Sequence, residues 1–301
     1  MKRLISIFAL STLLLSGTAI QAQLLWKISG NGLAKPSYIL GISQYAPMET
    51  LDEIPGLRAV YEATEQVCGV VAVTDSSAAP KFKNDLPQGV SFQSLYNEPE
   101  QQFLLPIIKK LYDVDIEKTP YCNYTPLMLS IIFEFVDFWS YADVKHDFIW
   151  TSQTTFSDSL QHMAISRGIP VKGLVSNSAH QEYLFKHIYT DMPLKQQKKL
   201  LINYFLNFSK IYNLMAKDIE AYQTRNLDTI SQNFFVSPTY RKSYKKTFSS
   251  EIQMWAGKIP PVIKERSTLV ILPVYALIDW KKKASIMEQL RKRGYTVEAV
   301  E

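Results

Sequence analysis

Ser37-Tyr38-Ile39-Leu40-Gly41-Ile42-Ser43-Gln44-Tyr45-Ala46-Pro47 is the stretch on which the fold turns. Tyr38 to Leu40 reads as a short apolar strand, Gly41 lets the backbone turn sharply, and a polar loop follows up to Pro47. A strand that ends in glycine and a polar side chain presents that side chain at the carboxyl edge of a sheet, where α/β folds build their sites. Just upstream, Leu24 to Ile28 is a second apolar run, and Ser29-Gly30-Asn31-Gly32 between the two carries an Asn-Gly turn signal. The two runs are therefore expected to pair antiparallel.

Working outward, Glu53 to Gln66 has the apolar spacing of a helix, and Val67 to Val73 is the continuous apolar run of a strand covered on both faces. Thr74 to Val90 is a loop by composition, and Glu98 to Tyr112 is an amphipathic helix. Thr125 and Pro126 open an apolar helix, Leu127 to Tyr141, whose apolar residues point all round and suggest a central buried position. Gln153 to Arg167 is a helix closed by Gly168, and Ile169 to Leu174 is the next strand. Ser178 and Gln181 form a capping box for a helix that includes Tyr183 to Ile188. Asp191 to Tyr222 reads as the longest helix, and Tyr240 to Ile259 as another, stopped by Pro260-Pro261. The chain ends in strand Thr268 to Leu272, helix Trp280 to Arg293 closed by Gly294, and strand Tyr295 to Val300, a parallel crossover pattern. The fold class is thus α/β (α+β): a central mixed β-sheet flanked by long helices, with an N-terminal antiparallel strand pair and a C-terminal strand–helix–strand unit.

Residues 1–22 read as an export signal, with Lys2-Arg3, an apolar run from Leu4 to Leu15, and a cleavage site at Ile20-Gln21-Ala22 before Gln23. That apolar run is shorter than the ~20 residues a membrane-spanning helix needs. Residues 23–301 then form one domain that is exported, to the periplasm or beyond. With 47% hydrophobic residues the chain can bury a large single core. The 33 basic residues less Lys2 and Arg3 leave 31 against 28 acidic ones, a charge of +3, too near balance to imply a nucleic-acid partner. Cys68 in an apolar run and Cys122 in a Pro/Asn loop have no spacing that argues for a disulfide. The run Tyr240 to Lys246 interleaves basic and aromatic residues and reads as a solvated helix face, with contact to an anionic envelope surface as the other reading.

Trp26-Lys27-Ile28 followed by Ser37 to Gly41 resembles the N-terminal signature of the TraB/GumN family, which includes the TIKI-type metalloproteases. Members read Trp-Lys-Ile, a loop, then Ser-Tyr-Leu-Leu-Gly-Thr-x-His. Gly173-Leu174, Ala221-Tyr222 with Asn226-Leu227, Ser267 to Val270, and Leu290 to Glu298 also resemble family runs, in order along the chain. The resemblance implies an α/β scaffold that, in active relatives, holds a divalent metal and hydrolyses a bond. It places the family's histidines and carboxylates at Gln44, Gly69, Val175, the neighbourhood of Glu251, and Ala276, with Tyr275 beside the last. A hydrolytic metal site needs about three His, Asp or Glu ligands plus an open position for water. Gln is a poor zinc ligand, and Gly and Ala supply none.

The remaining histidines do not suggest a replacement. His180 and His187 would stand ~10 Å apart along one helix, and Asp158 with His162 reads as an i,i+4 ion pair. The resemblance therefore implies a degenerate metallohydrolase: a pseudoenzyme with no cofactor and no catalytic residues. Gln44, Gly69, Tyr275, Ala276 and Glu251 are then its binding candidates, and an unidentified protein, peptide or small ligand its partner. Two alternatives stay open. One is an active metal-dependent hydrolase with a rearranged ligand set drawn from Gln44, Glu49, Glu251 or Tyr275. The other is a small-ligand carrier with an enclosed apolar cavity left by Gly69 and Ala276.

Overall fold

In the computed structural model, which describes residues 23–43, 50–78, 85–146, 155–184, 192–230, 242–278 and 285–300, strands β1 (Leu25–Ser29) and β2 (Ser37–Ile42) pair antiparallel with Leu25 opposite Leu40. Gly30, Asn31 and Gly32 all have positive φ, which is why the turn needs this Gly-Asn-Gly sequence. β2 lies parallel to β5 (Thr268–Pro273), β5 to β3 (Gln66–Gly69), and β3 to β4 (Val171–Gly173), while β6 (Thr296–Ala299) closes the other side antiparallel to β1. The order is β4-β3-β5-β2-β1-β6, a mixed six-stranded sheet among long helices, as the sequence implies. Val67, Ile39, Leu40 and Leu269 to Leu272 are buried, as expected of central strands covered on both faces. β5 and β6 run in the same direction, but β2 and β1 lie between them.

Helix Glu98–Tyr112 matches its sequence signal residue for residue, with Asn97 and Glu100 closing a capping box. Several other elements depart from expectation for local reasons. The Glu53–Gln66 helix is a single turn, Thr50–Glu53, and a helix, Leu57–Ala63, because Pro55 and a left-handed Gly56 (φ 70°) separate them. Strand β3 stops at Gly69 instead of Val73. Past it the chain crosses the end of β4, where Leu174 and Val175 donate to the carbonyls of Gly69 and Val70. The expected Asp191–Tyr222 helix is two, Leu194–Leu206 and Phe208–Gln223. The Asn207 amide donates to the Asn203 carbonyl at 2.8 Å, a side chain competing with the backbone at the break.

Pro260-Pro261 do not end the preceding helix, which runs from Lys242 to Glu265 and is the longest described. Ile252, Trp255, Ala256, Ile259 and Ile263 stay buried along one face, so packing carries the helix through the two prolines. Helix Pro126–His146 is not central: its face bearing Leu129 and Phe133 is buried while Val136 is exposed. Ser176, not Ser178, caps helix Asn177–Leu184, accepting from the Ala179 amide. The last helix is Ile286–Arg291, and the part of its expected range up to residue 284 lies outside the described residues, as do the signal at 1–22 and His187. Of the basic run at 240–246, residues 240 and 241 lie outside them too.

The buried residues form two clusters. The larger surrounds the sheet, and the second packs helices Glu98–Tyr112, Pro126–His146 and Leu194–Leu206 through Leu104, Ile108, Leu129, Phe133, Leu201 and Phe205. Cys68 is buried in the first, Cys122 lies against the second, and both are free thiols.

Gly41 shows how closely β2 meets its neighbours. A Cβ there would come within 2.1 Å of Leu277 Cδ1, in the 3-10 turn Val274–Leu277 that follows β5. Since Leu277 is buried, Gly41→Ala should overpack the site and destabilise the protein by roughly 1–3 kcal/mol. Adding Leu277→Ala should recover part of that loss, and urea unfolding of the double-mutant cycle checks it.

Candidate functional site at the carboxyl edge of the sheet

Because β2, β3, β4 and β5 are mutually parallel, their carboxyl ends share one edge, with Ile42 opposite Pro273 and Gly69 opposite Gly173. Loops leaving such an edge are where open α/β sheets place their ligands. Gly69 ends β3 here, and Tyr275 and Ala276 lie in the turn that leaves β5. Gln44 and Glu49 lie outside the described residues; Ser43 is the last described residue after β2.

Position 69 is closed by a neighbour. A Cβ on Gly69 would lie 2.5 Å from Gln161 Nε2 and 2.7 Å from the Val71 carbonyl oxygen. Gln161 is buried on helix Phe156–Ser166 and held at both ends. Its Nε2 donates to the Val71 carbonyl and Ser157 Oγ, and its Oε1 accepts from the Val73 amide at 3.0 Å. The space beside Gly69 is thus a hydrogen-bonded amide, not the enclosed apolar cavity a carrier would need there. The same helix settles Asp158, whose carboxylate accepts from the Thr155 amide in a capping box. Ala276 is fully buried in the main core, packed among apolar residues.

Glu251 and Tyr275 do meet. Glu251 projects from helix Lys242–Glu265, is fully buried, and accepts from the Tyr275 hydroxyl at 3.1 Å through Oε2. The Tyr275 ring is fixed between Phe248 (centroids 4.4 Å apart) and Trp255 (6.0 Å). Sequence reasoning missed the third member of this group. His180 Nδ1, on helix Asn177–Leu184, stands 3.8 Å from Glu251 Oε1, and neither atom has a hydrogen-bond partner among the described residues. That separation is within ion-pair reach, yet burial raises the Glu251 carboxyl to about 7, only partly opposed by Tyr275, and burial lowers the His180 imidazole. Both groups are pushed toward their neutral forms, which weakens any ion pair between them. No local signal could have paired residues so distant in sequence.

Beside this group an open cleft of about 390 Å³ lies between the loops leaving β3 and β4. It is lined by Ala72, Asp75, Leu174, Ser176, Ala179 and Lys258 among others. Asp75 accepts from the amides of Ser77 (2.8 Å) and Asn177 (3.0 Å). The Ser77 side chain, with these two amides, holds its carboxyl below the usual range, so it stays ionised.

Residues 24–299 match the family model of the TraB/PrgY/gumN family. The chain belongs to that family. No curated protein and no solved structure matches it. For a TraB/PrgY/gumN member the donor set at this edge is poor in metal ligands. Among the described residues no three of His, Cys, Asp and Glu are grouped to hold an ion. Gly69 and Ala276 contribute no donor, Glu251 is held toward its neutral form, and the ionised Asp75 already accepts from the amides of Ser77 and Asn177. The described residues therefore do not fit a divalent metal.

The Glu251 environment has a pH signature. Unfolded, its carboxyl ionises near 4.5; folded, it keeps its proton to about 7, so the folded state binds more protons between those values. Its contribution to stability is complete below pH 4.5 and is lost as pH rises through about 7. Glu251→Gln should remove this slope, so that the wild-type advantage over the variant shrinks by on the order of 3 kcal/mol across that window. Thermal or urea unfolding at a series of pH values checks the sign and the span.

Proposed function

We propose that this TraB/PrgY/gumN protein is an exported pseudoenzyme: it no longer performs metallohydrolysis and uses the carboxyl-edge cleft for binding in the cell envelope. The observation that carries the reading is the filled position beside Gly69. Where the resemblance puts a carboxylate, this chain has no side chain, and Gln161 occupies the space with its amide bonded at both ends. Restoring an acid there would need Gln161 to leave a satisfied, buried position, which costs a hydrogen-bonding group its partners. The full burial of Ala276 supports the same reading, since an imidazole in that place would have to displace core side chains. Neither position offers a ligand for the metal that would lower the pKa of a bound water toward neutrality.

A second reading, an active hydrolase with rearranged ligands, is favoured by one observation: a carboxyl at about 7 facing an imidazole is a combination suited to acid–base work. The two readings part on a single preparation. Elemental analysis of the purified mature protein should find no stoichiometric divalent metal, and a peptide library with added zinc, manganese or cobalt should show no cleavage. Near-unit metal content together with chelator-sensitive hydrolysis would sink the pseudoenzyme reading.

Export is proposed from the charged start, apolar run and small-residue site that precede Gln23. N-terminal sequencing of envelope material should begin at Gln23; material still starting at Met1 would reject the processing step.

A further inference from the structure

Gln23, the proposed first residue of the mature chain, is fixed through its main-chain carbonyl. That carbonyl accepts from the Trp26 indole Nε1 at 2.8 Å, and the Trp26 ring carries the Arg291 guanidinium 5.8 Å from its centroid. Arg291 is held in turn by Glu288 and by the Val297 carbonyl. Past this anchor the sheet takes over: Leu24 and Leu25 are buried, and their carbonyls accept from the Gly41 and Val300 amides. Gln23 itself is half-buried. Its main-chain nitrogen and its side-chain amide have no hydrogen-bond partner among the described residues. Those two groups are the ones that react with each other when a glutamine stands at a chain end. A free α-amine has a pKa of about 7.7–8.0, so part of it is the neutral nucleophile at neutral pH. Its nitrogen reaches Cδ of the same residue through a five-membered ring, which needs no encounter between separate molecules.

We propose that Gln23 of the mature chain is a modification site, cyclised to an N-terminal pyroglutamate; this rests on the processing step proposed above. The α-nitrogen forms a bond to Cδ, the Cδ–Nε2 bond breaks, and Nε2 leaves as ammonia with a proton given up by the α-nitrogen. No oxidant, metal or second reactant enters. In the precursor the same nitrogen is an amide and cannot attack, so the lactam marks processed chains alone. The main-chain carbonyl is untouched, so the Trp26 contact survives ring closure and no described hydrogen bond of the fold is broken. The product has lost its terminal charge, which closes the exported chain to aminopeptidases that recognise a free α-ammonium.

The test takes the protein from envelope material and digests it at low pH, where the α-amine is protonated and cannot close during handling. Its first peptide is then read by tandem mass spectrometry, since a lactam has no amine for stepwise chemical sequencing. That peptide should begin at residue 23 and be lighter than the open form by one ammonia, with the loss located in residue 23. Gln23→Ala should give an open peptide from the same start. A first peptide with open Gln23 overturns the proposal and leaves the processing step standing, whereas a chain that begins at Met1 overturns both. The chemistry is checked apart from the cell on full-length mature protein released from a fusion with Gln23 as its first residue. Folded, it should close at neutral pH at about the rate of the free peptide of residues 23–29, because neither reacting group is engaged. Closure slower than the peptide by roughly tenfold or more means that the fold holds those groups, and overturns the proposal.

Discussion

The sheet has one seam, the parallel pairing of β2 with β5, and that seam depends on the absence of a side chain at residue 41. On one side of it lie β4, β3 and β5, all parallel; on the other lie β2, β1 and β6, joined by antiparallel pairs. Without the β2–β5 contact the molecule has two half-sheets of three strands, each with an exposed edge. Gly41 allows the turn after β5 to fold down onto β2, where Leu277 occupies the volume a Cβ would take. The Gly41 carbonyl in turn accepts from the Tyr222 hydroxyl, at the far end of helix Phe208–Gln223. A buried tyrosine must place its hydroxyl, and here it does so on the backbone of the seam strand.

The helical part of the molecule is organised around a different constraint. Asp137, buried on helix Pro126–His146, accepts from the hydroxyls of Tyr112 (2.6 Å) and Tyr204, each on a separate helix. Burial pushes the Asp137 carboxyl up and the two hydroxyls pull it partly back. Three helices are thereby set at one point, and Phe133 and Phe205 pack beside it, with the Tyr112 ring stacked on Phe133 at 4.5 Å. The helix pair on either side of Asn207 joins this cluster to the sheet: Leu201, Tyr204 and Phe205 belong to the helical core, Ala221 and Tyr222 to the core of the sheet.

At the carboxyl edge the electrostatics divide by depth. Glu251 is buried and His180 half-buried, and both are pushed toward neutrality, whereas Asp75 and Lys258 line an open cleft. Desolvation decides the first pair, because a charge without a good partner is expensive in the interior. The Ser77 side chain and the oriented amides of Ser77 and Asn177 keep Asp75 ionised. The wall between them is helix Asn177–Leu184, which contributes His180 inward and Ala179 to the cleft.

The local chemistry of this fold was legible in the sequence. The Gly30-Asn31-Gly32 turn, the cap at Asn97, the apolar run of β5 and the glycines that close helices are set by backbone conformation and by residues a few positions apart. Gly69 and Ala276 could be named for the same reason, as positions without a donor side chain in recognisable runs. The breaks at Gly56 and Asn207 have local causes that an otherwise regular apolar period hides, whereas the helix carried through Pro260 and Pro261 has its packed face override the proline signal. What the sequence could not contain was the partner of each buried group. That Gln161 fills the space at Gly69, that His180 faces Glu251, and that Asp75 and Lys258 line one cleft are relations between distant segments. Residue types and spacing determine which groups need burial, a cap or a partner. Only the packed chain decides which distant group meets that need, because burial and separation are properties of the whole tertiary arrangement.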